Sequence, residues 1–176
     1  MIDFHNHILP GIDDGSKDLD MSIRMLRHAH NQGITDIVNT VHYQHPKVEG
    51  EDMSFQRISD EIDSLQEIID SAGIPVKIHI GAEVFYLPNL LKIKEDPITT
   101  FNNSNFMLIE FQVHQLPESQ KAELYNLKLS GITPIIAHPE RYKFVQQNIS
   151  IVYDWLSAGC LIQVDAGSVL GYLGKQ

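Results

Sequence analysis

The sequence predicts an α/β fold in which strands alternate with helices and pair in parallel. Three observations carry this. The stretches "NQGITDIV", "SAGIPVKI", "LSGITPII" and "SAGCLIQV" share one grammar: a helical run, a glycine, then a β-rich apolar segment. The runs before those glycines have helical periodicity. Each expected strand carries a histidine or carboxylate at or just beyond its C-terminal end, the end where parallel α/β architectures build their sites.

The first strand is expected over Ile2–His5, followed by the Pro-Gly turn and paired aspartates of "HNHILPGIDDG". A helix follows with Leu19, Ile23, Leu26 and Ala29 on one stripe and Ser16 as a candidate N-cap. Gly33 ends it, and the second strand is expected over Asp36–Val41. Ser54 starts a second helix whose stripe is Phe55, Ile58, Ile62, Leu65, Ile69 and Ala72. The third strand is expected over Val76–Glu83. The segment 85–105 has weak signals and predicts a short helix, then an irregular or hairpin-like excursion. Further strands are expected over Phe106–Phe111, Thr133–His138 and Leu161–Val164, with Pro117 in the first turn of the helix between the first two of these.

The 176 residues suit one domain, 1–176, and 43% hydrophobic content suits a packed core. A net charge of −10 argues against nucleic acid or an anionic membrane as partner. No apolar run reaches the ~18–20 residues of a membrane span. The Met1-Ile2-Asp3 start lacks the basic region of a signal peptide, and the lone Cys160 forms no internal disulfide, so a cytoplasmic location is expected. No arginine follows Cys160 closely, which excludes cysteine-dependent phosphatase chemistry and leaves a small buried apolar residue.

The ligand-type residues at the strand ends are His5 and His7, His42, Glu83, Glu110, His138 and Asp165. Alternation puts Asp3, His5 and His7 on one face, with two imidazoles one pleat repeat apart and within reach of one cation. Any one of these residues alone reads as a capping, surface or salt-bridge residue. Their recurrence at every strand end predicts a metal site, and a mixed His/carboxylate set suits Mn, Fe or Zn. Asp165 reads equally as a ligand, a group behind the ligands, or the cap of the next turn. His28 and His30 read as solvated, His45 and His114 as loop residues that shape the rim, and His79 as a hydrogen-bonded core histidine. In "AHPERY", Arg141 has a planar fork suited to phosphate oxygens, or forms a structural ion pair. Tyr43 and Tyr142 either flank an aromatic substrate or are ordinary rim residues.

The motifs "MIDFHNHILPGIDDGS", "VHYQHP", "GAEV", "LIEF", "PIIAHPERY" and "LIQVDAGSVLG", in this order, resemble the PHP (polymerase and histidinol phosphatase) superfamily. They are similar in particular to its bacterial manganese-dependent protein-tyrosine phosphatases of the capsule and exopolysaccharide type. The resemblance implies a distorted (β/α)7 barrel with two or three metal ions, Mn²⁺ first. It implies His5, His7, Asp14, His42, Glu83, Glu110 and His138 as ligands, with Glu83 bridging, and Arg141 as the phosphate-binding residue. The implied reaction is phosphomonoester hydrolysis by metal-activated water, on the phosphotyrosine-rich tail of a bacterial tyrosine kinase of polysaccharide export. That family continues beyond the "AGS" segment with a seventh strand and an Asp-x-His ligand pair, whereas this sequence stops at "GYLGKQ". The expectation is therefore a barrel truncated to about six strands, with open edges that a second copy would cover. Asp165 stands where that family usually has asparagine, and would substitute for a lost ligand. Three competing readings are a phosphatase of small metabolites, a TatD-like nuclease, which the acidic charge disfavours, and a non-catalytic metal-binding remnant.

Overall fold

The computed structural model describes residues 1–172, so the last four residues of the expected domain lie outside it. It is an α/β structure with six strands among the described residues, and the chain divides into two compact units. The first comprises Met1–Glu83 and Asp96–Ser104, the second Val84–Glu95 and the described residues from Asn105 onward. No helix among the described residues is long and apolar enough to cross a membrane.

In the first unit, β1 (Ile2–Asn6), β2 (Asp36–Tyr43) and β3 (Lys77–Phe85, whose last two residues belong to the second unit) lie in sequential order. β1 and β2 run parallel, with Ile2 opposite Asp36 and Asn6 opposite Asn39. The register slips between Asp3 and Asn6, where β1 carries an extra residue. Such a bulge re-aims side chains around it, and His5 lies within the slipped stretch.

α1 (Leu19–Asn31) and α2 (Phe55–Ser71) are the crossovers. Asp18, not Ser16, caps α1, accepting from the Met21 N–H at 2.7 Å. Ser16 is buried, its hydroxyl donating to the Asp18 carbonyl and meeting the Ser22 hydroxyl at 2.8 Å. The buried stripe of α1 is accordingly Ser22, Leu26 and Ala29, and Leu19 is exposed. α2 starts at Ser54 and buries Ile58, Ile62, Leu65 and Ile69, as its periodicity predicts. Gly81 of β3 lies so close to β2 that an added Cβ would stand 2.8 Å from Val38 Cγ1. The stretch 96–104 holds two single 3₁₀ turns, Pro97–Thr99 and Phe101–Asn103, and no hairpin.

In the second unit, β4 (Phe106–Glu110), β5 (Thr133–Ile136) and β6 (Leu161–Ile162) pair in parallel and in sequential order. Around them lie α3 (Leu90–Ile93), α4 (Gln120–Leu129), α5 (Lys143–Gln147), α6 (Ser150–Ser157) and α7 (Ala166–Val169). α4 begins three residues after Pro117, whose carbonyl accepts from the Gln120 N–H. The core is aromatic: Phe111 stacks on Trp155 at 5.5 Å and meets Tyr142 edge-on at 6.1 Å. The Trp155 indole N–H donates to Gln120 Oε1 at 3.0 Å, so a large apolar surface is buried without an orphaned donor. Truncating any of these rings to alanine costs about 3–5 kcal/mol.

Candidate metal centre

In the first unit the chemistry gathers around one carboxylate. Glu83, near the end of β3, is 1% exposed. Three imidazoles face it: His5 Nε2 at 3.3 Å, His7 Nε2 at 3.2 Å and His42 Nδ1 at 3.3 Å. His5 comes from β1, His7 from the first residue after it, and His42 from β2. The other nitrogen of His42 lies 3.1 Å from Asp14 Oδ1. His7, Asp14 and His42 each offer a ligand atom within 4.8 Å of the others.

The loop 7–16 holds this geometry. Its backbone closes on itself through Ser16 N–H to the His7 carbonyl at 3.0 Å and Gly11 N–H to the Ser16 carbonyl at 2.8 Å. Asn39 Oδ1, fully buried on β2, accepts from the Ile8 and Leu9 N–H groups at 2.8 and 3.1 Å. Gly15 packs directly on His7, and an added Cβ would stand 2.2 Å from the His7 carbonyl oxygen.

Sequence reasoning treats Asp13 as part of the turn. In the structure it is the acceptor that fixes His7: Oδ2 lies 2.8 Å from His7 Nδ1 and accepts the His42 N–H at 3.2 Å, while Oδ1 accepts the Gly15 N–H at 3.1 Å. A carboxylate on one imidazole nitrogen fixes the ring and aims the other nitrogen, here at Glu83. The available signal was the adjacent pair "DD" before glycine, which does not say which aspartate turns inward. His45 lies in a loop, as expected, whereas no sequence signal marks Lys47. Lys47 Nζ pairs with Asp14 Oδ2 at 2.5 Å, and the His45 ring stacks on His42 at 4.6 Å.

The electrostatics follow from burial and these pairs. Burial alone would lower the His7 pKa, but hydrogen bonds to Asp13 and Glu83 outweigh it and raise it to about 10. Burial wins at His42 and pushes it down to about 4, against the attraction of Glu83 and with the help of His7. A neutral His42 has one N–H, yet each of its nitrogens faces a carboxylate oxygen. A lone pair held 3.1–3.3 Å from a carboxylate suits a cation between them, so the donor set fits a divalent metal. Asp14 is held below the usual carboxylate range by Lys47 and the imidazoles, although burial opposes this.

The second unit holds the remaining predicted residues. Glu110 ends β4, and its Oε1 lies 3.8 Å from His138 Nε2. His138 is 3% exposed and left-handed, with φ 31° and ψ 55°. A non-glycine residue there carries strain of about 1–3 kcal/mol, which such sites sustain only when their surroundings hold them. The His138 N–H donates to Gln163 Oε1 at 3.0 Å. Arg141 pairs with Asp165 Oδ2. Asp165 occupies the cap position of α7 without capping it, and its Oδ1 accepts from Gln163 Nε2 at 3.0 Å.

Two expectations need correction. Tyr142 is fully buried and is no rim residue: its hydroxyl accepts the Phe111 N–H at 2.9 Å and its ring stacks on Phe144 at 5.2 Å. A place just after the "AHPER" motif does not fix facing, because the 3₁₀ turn Pro139–Arg141 redirects the chain before Tyr142. His79 is half-buried rather than a core residue, and bonds Asp36 at 2.9 Å. Tyr43 is half-buried, its hydroxyl donating to Asp96 Oδ2 at 3.1 Å. Cys160 is buried, and burial lifts its thiol to about 11, far from a working nucleophile.

The model of the capsular polysaccharide synthesis family CpsB/CapC matches residues 1–176. The chain is 33% identical to the tyrosine-protein phosphatase YwqE of Bacillus subtilis over 177 residues, covering 100% of this chain and 68% of that protein. It is 34% identical to the tyrosine-protein phosphatase CpsB of Streptococcus pneumoniae, covering 94% and 68%. Its structure superposes, with a TM-score of 0.94 and 32% identity, on a chain from the crystal structures of YwqE and CpsB, described as metal-dependent tyrosine phosphatases; the match covers 100% of this chain and 70% of that one. With matching sequence, fold and a donor set suited to metal, the chain belongs to the CpsB/CapC family of capsular polysaccharide synthesis.

Proposed function

We propose that this chain is a metal-dependent tyrosine-protein phosphatase acting in the cytoplasm, on the phosphotyrosine-bearing tail of a tyrosine kinase of polysaccharide export. The observation that carries the reading is the convergence of three imidazoles on the buried Glu83 carboxylate at 3.2–3.3 Å. His5, His7, Asp14, His42 and Glu83 are the proposed ligands in the first unit, and Glu110 and His138 in the second, with Mn²⁺ as the proposed metal.

When bound, the metal supplies Lewis acidity toward phosphoryl oxygens and a water acidic enough to attack at neutral pH. The residues of the chain do the rest. Asp13 holds His7 with Nε2 aimed at Glu83. His42 is neutral at pH 7 and keeps a lone pair available. The Arg141 guanidinium, with one amine on Asp165, has further N–H donors for the non-bridging oxygens of a phosphate. Cys160 is buried and protonated, in keeping with direct hydrolysis and no cysteinyl intermediate.

Steady-state hydrolysis of a phosphotyrosine peptide, a phosphoserine peptide and a small alkyl phosphomonoester tests the reading. A Mn²⁺-dependent preference for phosphotyrosine is expected. Preference for the small ester would assign the site to a metabolite instead.

A further inference from the structure

We propose that Gln163 is a positioning residue that aims both His138 and Arg141, a role that deepens the metallophosphatase reading and rests on it. The β5–β6 ladder pairs Ile136 with Ile162 and ends with Gln163 N–H donating to the Ile136 carbonyl at 2.9 Å. Continued in the same register, a parallel ladder sends the next donor, the His138 N–H, to the main-chain carbonyl of Gln163. The bond found runs to the side-chain carbonyl Oε1, at 3.0 Å. That side chain follows the His138 amide as the backbone turns left-handed, to φ 31°, so the turn does not strand a buried donor.

The other half of the same amide faces the phosphate-binding candidate. Gln163 Nε2 donates to Asp165 Oδ1 at 3.0 Å, and Asp165 Oδ2 pairs with Arg141 Nη2. One 9%-exposed side chain thus bonds the backbone of a candidate ligand and the carboxylate that holds the candidate phosphate donor. Glutamine has both an acceptor and a donor at this reach. Glutamate keeps the acceptor but sets a second carboxylate against Asp165, and methionine keeps only the volume. The two segments are tied independently by Glu140 Oε1, which accepts from the Asp165 N–H at 3.1 Å and the Ser168 hydroxyl at 2.7 Å. Loss of the Gln163 bonds therefore leaves them connected.

The experiment compares the full chain with Gln163→Glu and Gln163→Met in two titrations that need no turnover. One is Mn²⁺ alone by calorimetry, and the other is inorganic phosphate added to the Mn²⁺-saturated protein. Gln163→Met is expected to weaken both by about tenfold or more. Gln163→Glu is expected to keep Mn²⁺ affinity near that of the parent while phosphate affinity falls about tenfold, because only the Asp165–Arg141 half is disturbed. Unchanged titrations in both variants would overturn the proposal. So would equal losses of both ligands in Gln163→Glu accompanied by a lowered melting temperature, the mark of a merely structural residue. Failure of the parent to hydrolyse phosphotyrosine would count against the functional reading and leave these titrations to decide the role of Gln163.

Discussion

Asp13 and His7 form a carboxylate–imidazole pair, 2.8 Å between Oδ2 and Nδ1, whose far nitrogen lies 3.2 Å from Glu83. The pair makes Asp13 the proposed positioning residue of the candidate centre. Asp13→Ala is expected to weaken Mn²⁺ binding by about 10–100-fold, the usual cost of removing such a partner, while the chain stays folded. Calorimetric titration of the variant checks this, and unchanged affinity would separate Asp13 from the centre.

Gly15 is held by space rather than by backbone angle. Any side chain there meets the His7 carbonyl oxygen at 2.2 Å and the His7 Cβ at 2.3 Å. Gly15→Ala should destabilise the chain by about 1–3 kcal/mol, as overpacking does, and should displace His7. Denaturant melts and a Mn²⁺ titration read the two effects. A variant that melts with the parent and binds metal equally would show that the loop gives way freely.

The metal-free chain should have a stability maximum near neutral pH. The His42 pKa falls from 6.5 unfolded to about 4 folded, so its contribution is present above pH 6.5 and is lost as pH falls through 4, a loss of roughly 3 kcal/mol. The His7 pKa rises from 6.5 to about 10, so its contribution is full below pH 6.5 and is lost as pH rises through 10. Urea melts in chelator from about pH 4 to 10 should trace both limbs. A flat profile would contradict the ionisation states assigned to these two histidines.

Much of this was legible in the sequence, for identifiable reasons. Gly33, Gly73, Gly131 and Gly159 all have positive φ, so the repeated helix–glycine–strand grammar reflected a real backbone requirement. The α2 stripe was legible because burial of one helix face imposes its period on the residues. Strand ends pointed to His42, Glu83 and Glu110 because side-chain alternation persists up to the last paired residues, and to His5 only through its place near the end of β1, where the register slip interrupts that alternation. Legibility failed where the backbone leaves regular geometry. Asp13 lies in a ten-residue loop closed by its own hydrogen bonds, and Tyr142 follows a 3₁₀ turn entered from a left-handed residue. The Asp165–Arg141 pair joins positions far apart in sequence through side chains alone, which no local pattern encodes.

The most direct test of the Glu83-centred site is Mn²⁺-titrated hydrolysis of a phosphotyrosine peptide by the parent chain and by Glu83→Gln. The substitution keeps the shape of the side chain and removes the charge that three imidazoles face. Activity that rises with Mn²⁺ in the parent and stays at background in the variant is the expected result. Equal activity in both, or hydrolysis by the parent that persists in chelator, would contradict a metal centre built on Glu83.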